Sequence, residues 1–441
     1  MNETQATREA DLAIHARWIV PVDPPGVLEH HALVVDRGRI VALVPSSGVA
    51  ASWSPRETIT LHSHLLMPGL VNAHAHSAMA LMRGVADDLP LRTWLEKHIW
   101  PREAVHVSPE FVRDGTLVAC AEMLAGGITC CNDMYFYPDA AARAYEETGL
   151  RAMLGMPVLD FPTAYAPDAD GYLREGLAAR DRHKHSPRLS FSLAPHAPYT
   201  VGDGSFAKVV TYARQLDLPI QTHLQETRSE RDDALASTGA TPLARLDRLG
   251  ATGPAFIAIH AVHPGPGDAA ILARQGCHVV HCPGSNMKLA SGAAPVDAYL
   301  AAGINVALGT DSAASNNRLD LFAEMRLASL LAKVTSGDAA ALPAATALRM
   351  ATLNGAKALG LDGRIGSLAP GKDADVVAVD LSAVELAPCY DPVSHLVHAA
   401  GREHVTDVWI QGERLFAQRA LTRLDAAAIA ARAALWRDRI A

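Results

Sequence analysis

The chain has little with which to grip a polyanion or enter a bilayer. Of its 441 residues, 39 are Lys or Arg and 47 are Asp or Glu, a formal net charge of −8. A phosphate backbone calls for clustered basic residues, so this balance argues against a nucleic-acid partner. Long hydrophobic runs are missing too. Gly, Pro or charge interrupts each apolar stretch well short of the roughly 18 residues a membrane helix needs, so no membrane partner is expected. Residues 1–11 are polar and hold no apolar signal core, and no block of like charge reads as a tail. Cysteine is scarce: six residues, irregularly spaced, with no Cys-x-x-Cys pair. Such thiols read as buried and reduced in a cytoplasmic protein, not as a disulfide framework.

Apolar residues make up 49% of the chain, enough for a large core. Strand-like runs fall near 68–74, 127–134, 151–159, 188–195, 218–224, 255–262, 277–283 and 303–310. Alanine-rich amphipathic stretches such as 111–125, 139–148 and 206–216 lie between them. Short apolar strands alternating with helices imply a parallel sheet covered on both faces. Eight such units in about 300 residues suit an α/β fold with a (β/α)8 barrel, the doubly wound open sheet being the alternative.

The two chain ends read differently. Short strands are expected at 13–22, 31–36 and 40–44, with an Arg37-Gly38 turn, and again at 374–379, 405–410 and 414–417, with a Gln411-Gly412 turn. Neither end has enough strands for a stable sheet of its own. The expected organisation is therefore a barrel over 67–365, a small β-sandwich domain composed of 12–66 plus 366–420, and a C-terminal helix within 421–441.

Four short pieces, each at the end of a strand-like run, carry metal-ligand chemistry: His74-Ala75-His76, His223, His260 and Asp311. Residues two apart on a strand point to one side, so His74 and His76 supply half a site. His223 and Asp311 complete a three-His, one-Asp set with room for water, as in a catalytic rather than a closed structural site. Imidazole suits zinc, and also iron. Any one piece alone has a bland explanation, such as a hydrogen-bonded His or a helix-capping Asp. Their convergence at the strand ends of one barrel, where active sites sit, does not. His260 is either a further ligand or a base that orients water. The fourth strand ends in His196 rather than in a lysine that could bridge two ions, so one divalent metal is expected and His260 takes the second role. Glu226, three residues after His223, lies just past the same strand end, where a carboxylate can carry protons between water and substrate.

Gly69-Leu70-Val71-Asn72-Ala73-His74-Ala75-His76 resembles the first-strand motif of the amidohydrolase superfamily. Gln221-Thr222-His223-Leu224-Gln225-Glu226-Thr227, the stretch from His281-Cys282-Pro283 to Leu289, Leu308-Gly309-Thr310-Asp311-Ser312 and Gly366-Ser367-Leu368-Ala369-Pro370-Gly371 resemble its later motifs. Within it, Met82-Arg83-Gly84-Val85-Ala86-Asp87 followed by Trp94-Leu95 and Trp100-Pro101-Arg102-Glu103 is most similar to the 5′-methylthioadenosine/S-adenosylhomocysteine deaminases. That resemblance implies a ribose pocket lined by Trp94 and Glu103, with Glu103 accepting from both ribose hydroxyls, and a purine contact from His196. It also implies hydrolytic deamination of an adenine nucleoside: Asp311 and His260 orient the attacking water, Glu226 protonates N1, and Asp311 passes a proton to the leaving amine. The expected metal is Zn2+, with Fe2+ the alternative, and a homo-oligomer is expected. The loop 160–167 is apolar and offers no Arg for a carboxylate, which favours methylthioadenosine over S-adenosylhomocysteine and adenosine. A triazine hydrolase or a guanine or 8-oxoguanine deaminase is the alternative on the same scaffold.

Overall fold

The computed structural model describes residues 7–441; the first six residues of the polar N-terminus lie outside the described residues. Sixteen strands form two sheets of eight. The N-terminal strands are β1 (Arg8–Ile19), β2 (Leu28–Asp36), β3 (Arg39–Pro45) and β4 (Trp53–Pro68). The barrel strands are β5 (Leu70–Ala75), β6 (Ile128–Met134), β7 (Arg151–Val158), β8 (Leu189–Pro195), β9 (Ile220–Leu224), β10 (Phe256–His260), β11 (His278–His281) and β12 (Asn305–Leu308). The C-terminal strands are β13 (Val376–Asp380), β14 (Val405–Ile410), β15 (Glu413–Ala417) and β16 (Ala420–Leu421).

Both chain ends pair into one sheet, in the order β16-β15-β14-β13-β4-β1-β2-β3. The seam is β4, which runs parallel to β1 and antiparallel to β13, with Val376 opposite Pro68 and Asp380 opposite His64. Leu12, Ile14, Leu33, Ile40, Val376 and Trp409 pack as its core.

The second sheet is the expected barrel: β5 to β12 lie in chain order and every neighbouring pair is parallel. Backbone and side chains close it between β12 and β5. Asp311 N–H donates to the His74 carbonyl at 3.0 Å, and Asn72 exchanges hydrogen bonds with Thr310 at 2.8 and 2.9 Å. Closure thus places the first and last metal-ligand pieces side by side. A polar layer crosses the barrel, in which Asn132 and Gln221 exchange hydrogen bonds at 2.8 and 2.9 Å and Gln221 donates to Ser192 at 2.7 Å. Fully satisfied, such a layer rigidifies the core that carries the mouth.

The helix Ala426–Ile440 starts at an Asp425 cap and returns to the barrel helix Pro109–Ala125. There Trp436 Nε1 donates to Asp114 at 3.1 Å, and the Trp436 ring meets Phe111 edge-on at 5.2 Å. Among the described residues, no helix is long and apolar enough to cross a membrane.

Candidate metal centre and active site

The strand ends converge as the barrel reading requires. His74 lies in β5 and His76 just beyond it, His223 in β9, His260 at the end of β10 and Asp311 past β12. The backbone bends sharply where side chains must be aimed: His260 has φ 71° and Asp311 φ 60°. Left-handed backbone at non-glycine residues gathers at functional sites, held there by its surroundings. Gly309 is a case where only glycine fits, because a Cβ there would stand 2.9 Å from His74 Cβ and N.

Hydrogen bonds on the outer side of three of the rings set their tautomers. His76 Nδ1–H donates to the Met134 carbonyl, His223 Nδ1–H to the His196 carbonyl at 2.7 Å, and His260 Nδ1–H to Asn286 Oδ1 at 2.9 Å. Each Nε2 is left as a lone pair facing inward, the arrangement metal-binding histidines use. His76 Nε2 and His223 Nε2 stand 3.3 Å apart. Two lone pairs so close repel unless a cation lies between them. His74 is fully buried with neither ring nitrogen hydrogen-bonded, although Nε2 comes within 3.4 Å of Asp311 Oδ1. His76 Nε2 is 3.3 Å from the same oxygen. The ligating atoms of His74, His76 and Asp311, and those of His74, His223 and His260, each lie within 4.8 Å of one another. A divalent ion resolves both the unpartnered atoms and the repulsion, and a set of imidazoles with one carboxylate suits zinc. His260 is thus within ligand reach as well as beside Glu226.

Ligation needs neutral rings, which burial favours at His74 and His223; at His76 burial is outweighed by Asp311 and the value is raised. Burial pushes His74 down to about 4 and His196 down to about 3. Burial, reinforced by neighbouring imidazoles, holds His223 well below its ordinary value. Burial also opposes ionisation of Asp311, but the close approach of His74 and His76 outweighs it and holds the carboxyl well below the usual range. Asp311 is held in place by Ser312 N–H at 2.8 Å on Oδ1, and by Ser285 and Ser315 hydroxyls at 2.6 and 3.0 Å on Oδ2.

Glu226 is buried, its Oε1 accepting from Ser291 at 3.2 Å and its Oε2 3.7 Å from His260 Nε2. Burial raises its pKa, and the His260 charge only partly offsets this. A carboxyl so placed is biased towards its protonated form, from which it can release a proton to a bound base.

The centre opens into a cavity of about 510 Å³, a size suited to one small ligand. Trp94, Glu103 and His196 all line it. Trp94 is buried with Nε1 unpartnered, so the indole N–H is free for a ligand. Glu103 Oε1 accepts from Tyr135 at 2.7 Å, which leaves acceptor capacity on both oxygens. Phe161 and Tyr165, from the apolar 160–167 loop, form part of the wall, and no Lys or Arg lines it. Arg174 is not in the lining; it is paired with Glu175 at 3.3 Å.

The sequence reading did not single out Tyr135, Ser285, Asn286, Ser291 or Ser315. Tyr135 directly follows β6, so the strand-end rule that finds His76 applies to it equally. Ser285 and Asn286 lie inside a quoted motif but act through a neighbouring side chain, which spacing does not reveal.

The model of the amidohydrolase family matches residues 65–415. A 5-methylthioadenosine/S-adenosylhomocysteine deaminase of Teredinibacter turnerae is 46% identical over 98% of each chain. The protein of that name from Saccharophagus degradans is 48% identical over 98% of this chain and 97% of its own. The crystal structure of an adenosine deaminase from Xanthomonas campestris with bound zinc superposes with a TM-score of 0.97, at 49% identity over 99% of both chains. A triazine hydrolase variant, 24% identical with a TM-score of 0.90 over 97% of this chain and 99% of its own, shares the fold. The chain therefore belongs to the amidohydrolase family, among the 5-methylthioadenosine/S-adenosylhomocysteine deaminases.

Proposed function

We propose that this protein hydrolytically deaminates an adenine nucleoside to the inosine analogue and ammonia, with 5′-methylthioadenosine the preferred substrate. S-adenosylhomocysteine and adenosine are the secondary substrates. The observation that carries this is Glu103, a carboxylate that lines the same cavity as the inward-facing lone pairs of His76 and His223. A vicinal diol offers two donors to its two oxygens; a free base or a triazine has no ribose diol. The apolar wall of Phe161 and Tyr165 suits a methylthio group, whereas an amino-acid carboxylate would meet no cation there.

His74, His76, His223 and Asp311 would hold a zinc ion, which supplies Lewis acidity that makes water nucleophilic near neutral pH. His260 Nε2 and Asp311 orient the water towards C6, and Asp311 Oδ1 takes its proton. Glu226, protonated and fixed by Ser291, gives its proton to N1, so that C6 becomes electrophilic as the oxygen adds. Asp311 then passes that proton to the amine, which leaves as ammonia while the C6 hydroxyl becomes the carbonyl and its proton returns to Glu226. Glu103 and Trp94 hold the ribose, and His196 meets the purine. The reading includes a homo-oligomer working in the cytoplasm, in keeping with six unpaired cysteines, five of them buried.

Ammonia release should be followed with methylthioadenosine, S-adenosylhomocysteine, adenosine, guanine and a chloro-triazine. Methylthioadenosine should turn over fastest; activity confined to guanine or the triazine would sink the proposal. Glu226→Gln should keep its metal and lose about 10²–10⁴-fold in kcat, the usual contribution of a general acid.

A further inference from the structure

Glu226 follows a tight bend. Gln225, just before it, has φ 49°, and successive N–H groups at such a bend point outward as a small anion-binding nest. Both N–H groups go to one side chain. Glu230 Oε1 accepts from Gln225 N–H, and Glu230 Oε2 from Glu226 N–H, each at 2.9 Å.

That contact is unusual for its position. Thr227 caps the helix Arg228–Thr238, its hydroxyl accepting from Glu230 N–H at 3.2 Å. A Glu three residues into a helix ordinarily reaches back to the cap residue's own N–H. Here it passes over Thr227 and takes the two N–H groups before it. A helix cap needs one acceptor; this arrangement needs two, both on one ionised carboxylate.

Gln225 is also held from the far side. Its carbonyl accepts from Val262 and His263 at 3.1 and 3.0 Å, and its side chain donates to Asp268 at 2.8 Å. For Glu226 N–H, Glu230 is the only acceptor among the described residues. A carboxamide at position 230 would keep one oxygen and turn an NH2 group against the other N–H.

We infer that Glu230 is a positioning residue for Glu226, its two oxygens fixing the backbone from which that carboxyl reaches the substrate. The inference rests on the proton-donor reading of Glu226 given above.

The test compares the holoenzymes of the wild type, Glu230→Gln, Glu226→Gln, the double variant and Thr227→Ala, by metal analysis, kinetics with methylthioadenosine and crystal structures. Glu230→Gln should retain full metal, keep KM within about twofold and lose on the order of 10–100-fold in kcat, as misplacement by about 1 Å does. Its crystal structure should show Glu226 moved off Ser291. In the Glu226→Gln background the same change should cost no further activity, since coupled residues do not add. Thr227→Ala, which removes the cap but neither of the two acceptors, should lower the Tm and leave kcat within about twofold. Wild-type kcat in Glu230→Gln, or Glu226 unmoved in its crystal structure, would overturn the inference. So would an equal kcat loss in Thr227→Ala. Full activity in Glu226→Gln would instead remove the proton-donor reading, leaving the crystal structures to report on positioning alone.

Discussion

The barrel carries a buried ionic cluster at each end, and the two are built to opposite rules. At the closed end Arg151, at the start of β7, donates to Asp373 at 3.0 Å and to Asp375 at 3.2 Å through both Nε and Nη2. Arg364 adds two bonds to Asp373, and Gln411 N–H one to Asp375 at 2.9 Å. No further cation is needed there, because each carboxylate already meets donors from two or more residues. At the open end, imidazole lone pairs face one another at 3.3 Å and His74 makes no hydrogen bond. Burying polar atoms without partners is costly, so the second pattern persists only where something else supplies the partner. Saturation marks the cluster that joins the barrel to the end-strand sheet; want of a partner marks the one that takes a ligand.

The largest effect should come from emptying the open end. On the proposed mechanism Asp311→Asn removes the anionic ligand and proton carrier together, and several kcal/mol of transition-state stabilisation should go with it. That corresponds to a kcat loss of about a thousandfold or more. Metal content, measured by atomic emission, should fall with activity, while far-UV circular dichroism stays that of the wild type. A variant that kept stoichiometric metal and normal turnover would show that the unpartnered atoms are not a ligand set.

How far the two ends were legible beforehand follows from the range of their contacts. His74, His223, His260 and Asp311 each follow an apolar run, so eight strands and one site emerged from local periodicity and the convergence a barrel imposes. The Arg151 cluster joins residues more than 200 positions apart and has no local pattern, so it stayed invisible. Strand β4 escaped for a different reason. Its first twelve residues are exposed or only half-buried, so no hydrophobic alternation announces them. Yet β4 is the seam that joins the N-terminal strands to β13. Asn132 and Gln221 were missed because polar residues inside a barrel pair across strands, not along them. Glu230 was legible only as a helix-start acid; its reach past Thr227 is a matter of geometry.

The next effect tests the closed end. Arg151→Met removes the cation but keeps much of the volume, leaving Asp375 buried without its charge partner. Breaking one side of a buried pair costs about 3–5 kcal/mol. The urea midpoint should drop accordingly, while kcat per folded molecule and metal content stay at wild-type values. Lost turnover at unchanged stability would erase the distinction between the two ends.

The smallest effect concerns pH, and it separates two carboxyls four residues apart at the open end. Burial pushes Glu230 up to about 7, with Glu226 adding to the rise and the two N–H bonds opposing it. Charged or titratable groups around the second cavity that Glu230 lines are Tyr199, Arg245, His263, Arg92 and Glu96, with Arg228 and Asp233 on its own helix. Burial raises Glu226 as well. The signs nevertheless differ. On the proposed mechanism Glu226 must carry a proton to donate it, so its titration would remove activity as pH rises. Glu230 must be ionised to accept two N–H groups, so its protonation removes activity as pH falls through about 7. The Glu230 contribution, read as the ratio of wild-type kcat to that of Glu230→Gln at each pH, should therefore fall several-fold between about pH 8 and pH 6, up to the 10–100-fold that misplacing Glu226 costs. Glu230→Gln, with nothing to titrate at that position, should lack this acidic limb and start lower, keeping only the fall towards high pH that Glu226 contributes. An acidic limb of unchanged midpoint and depth in that variant would assign the limb to another group.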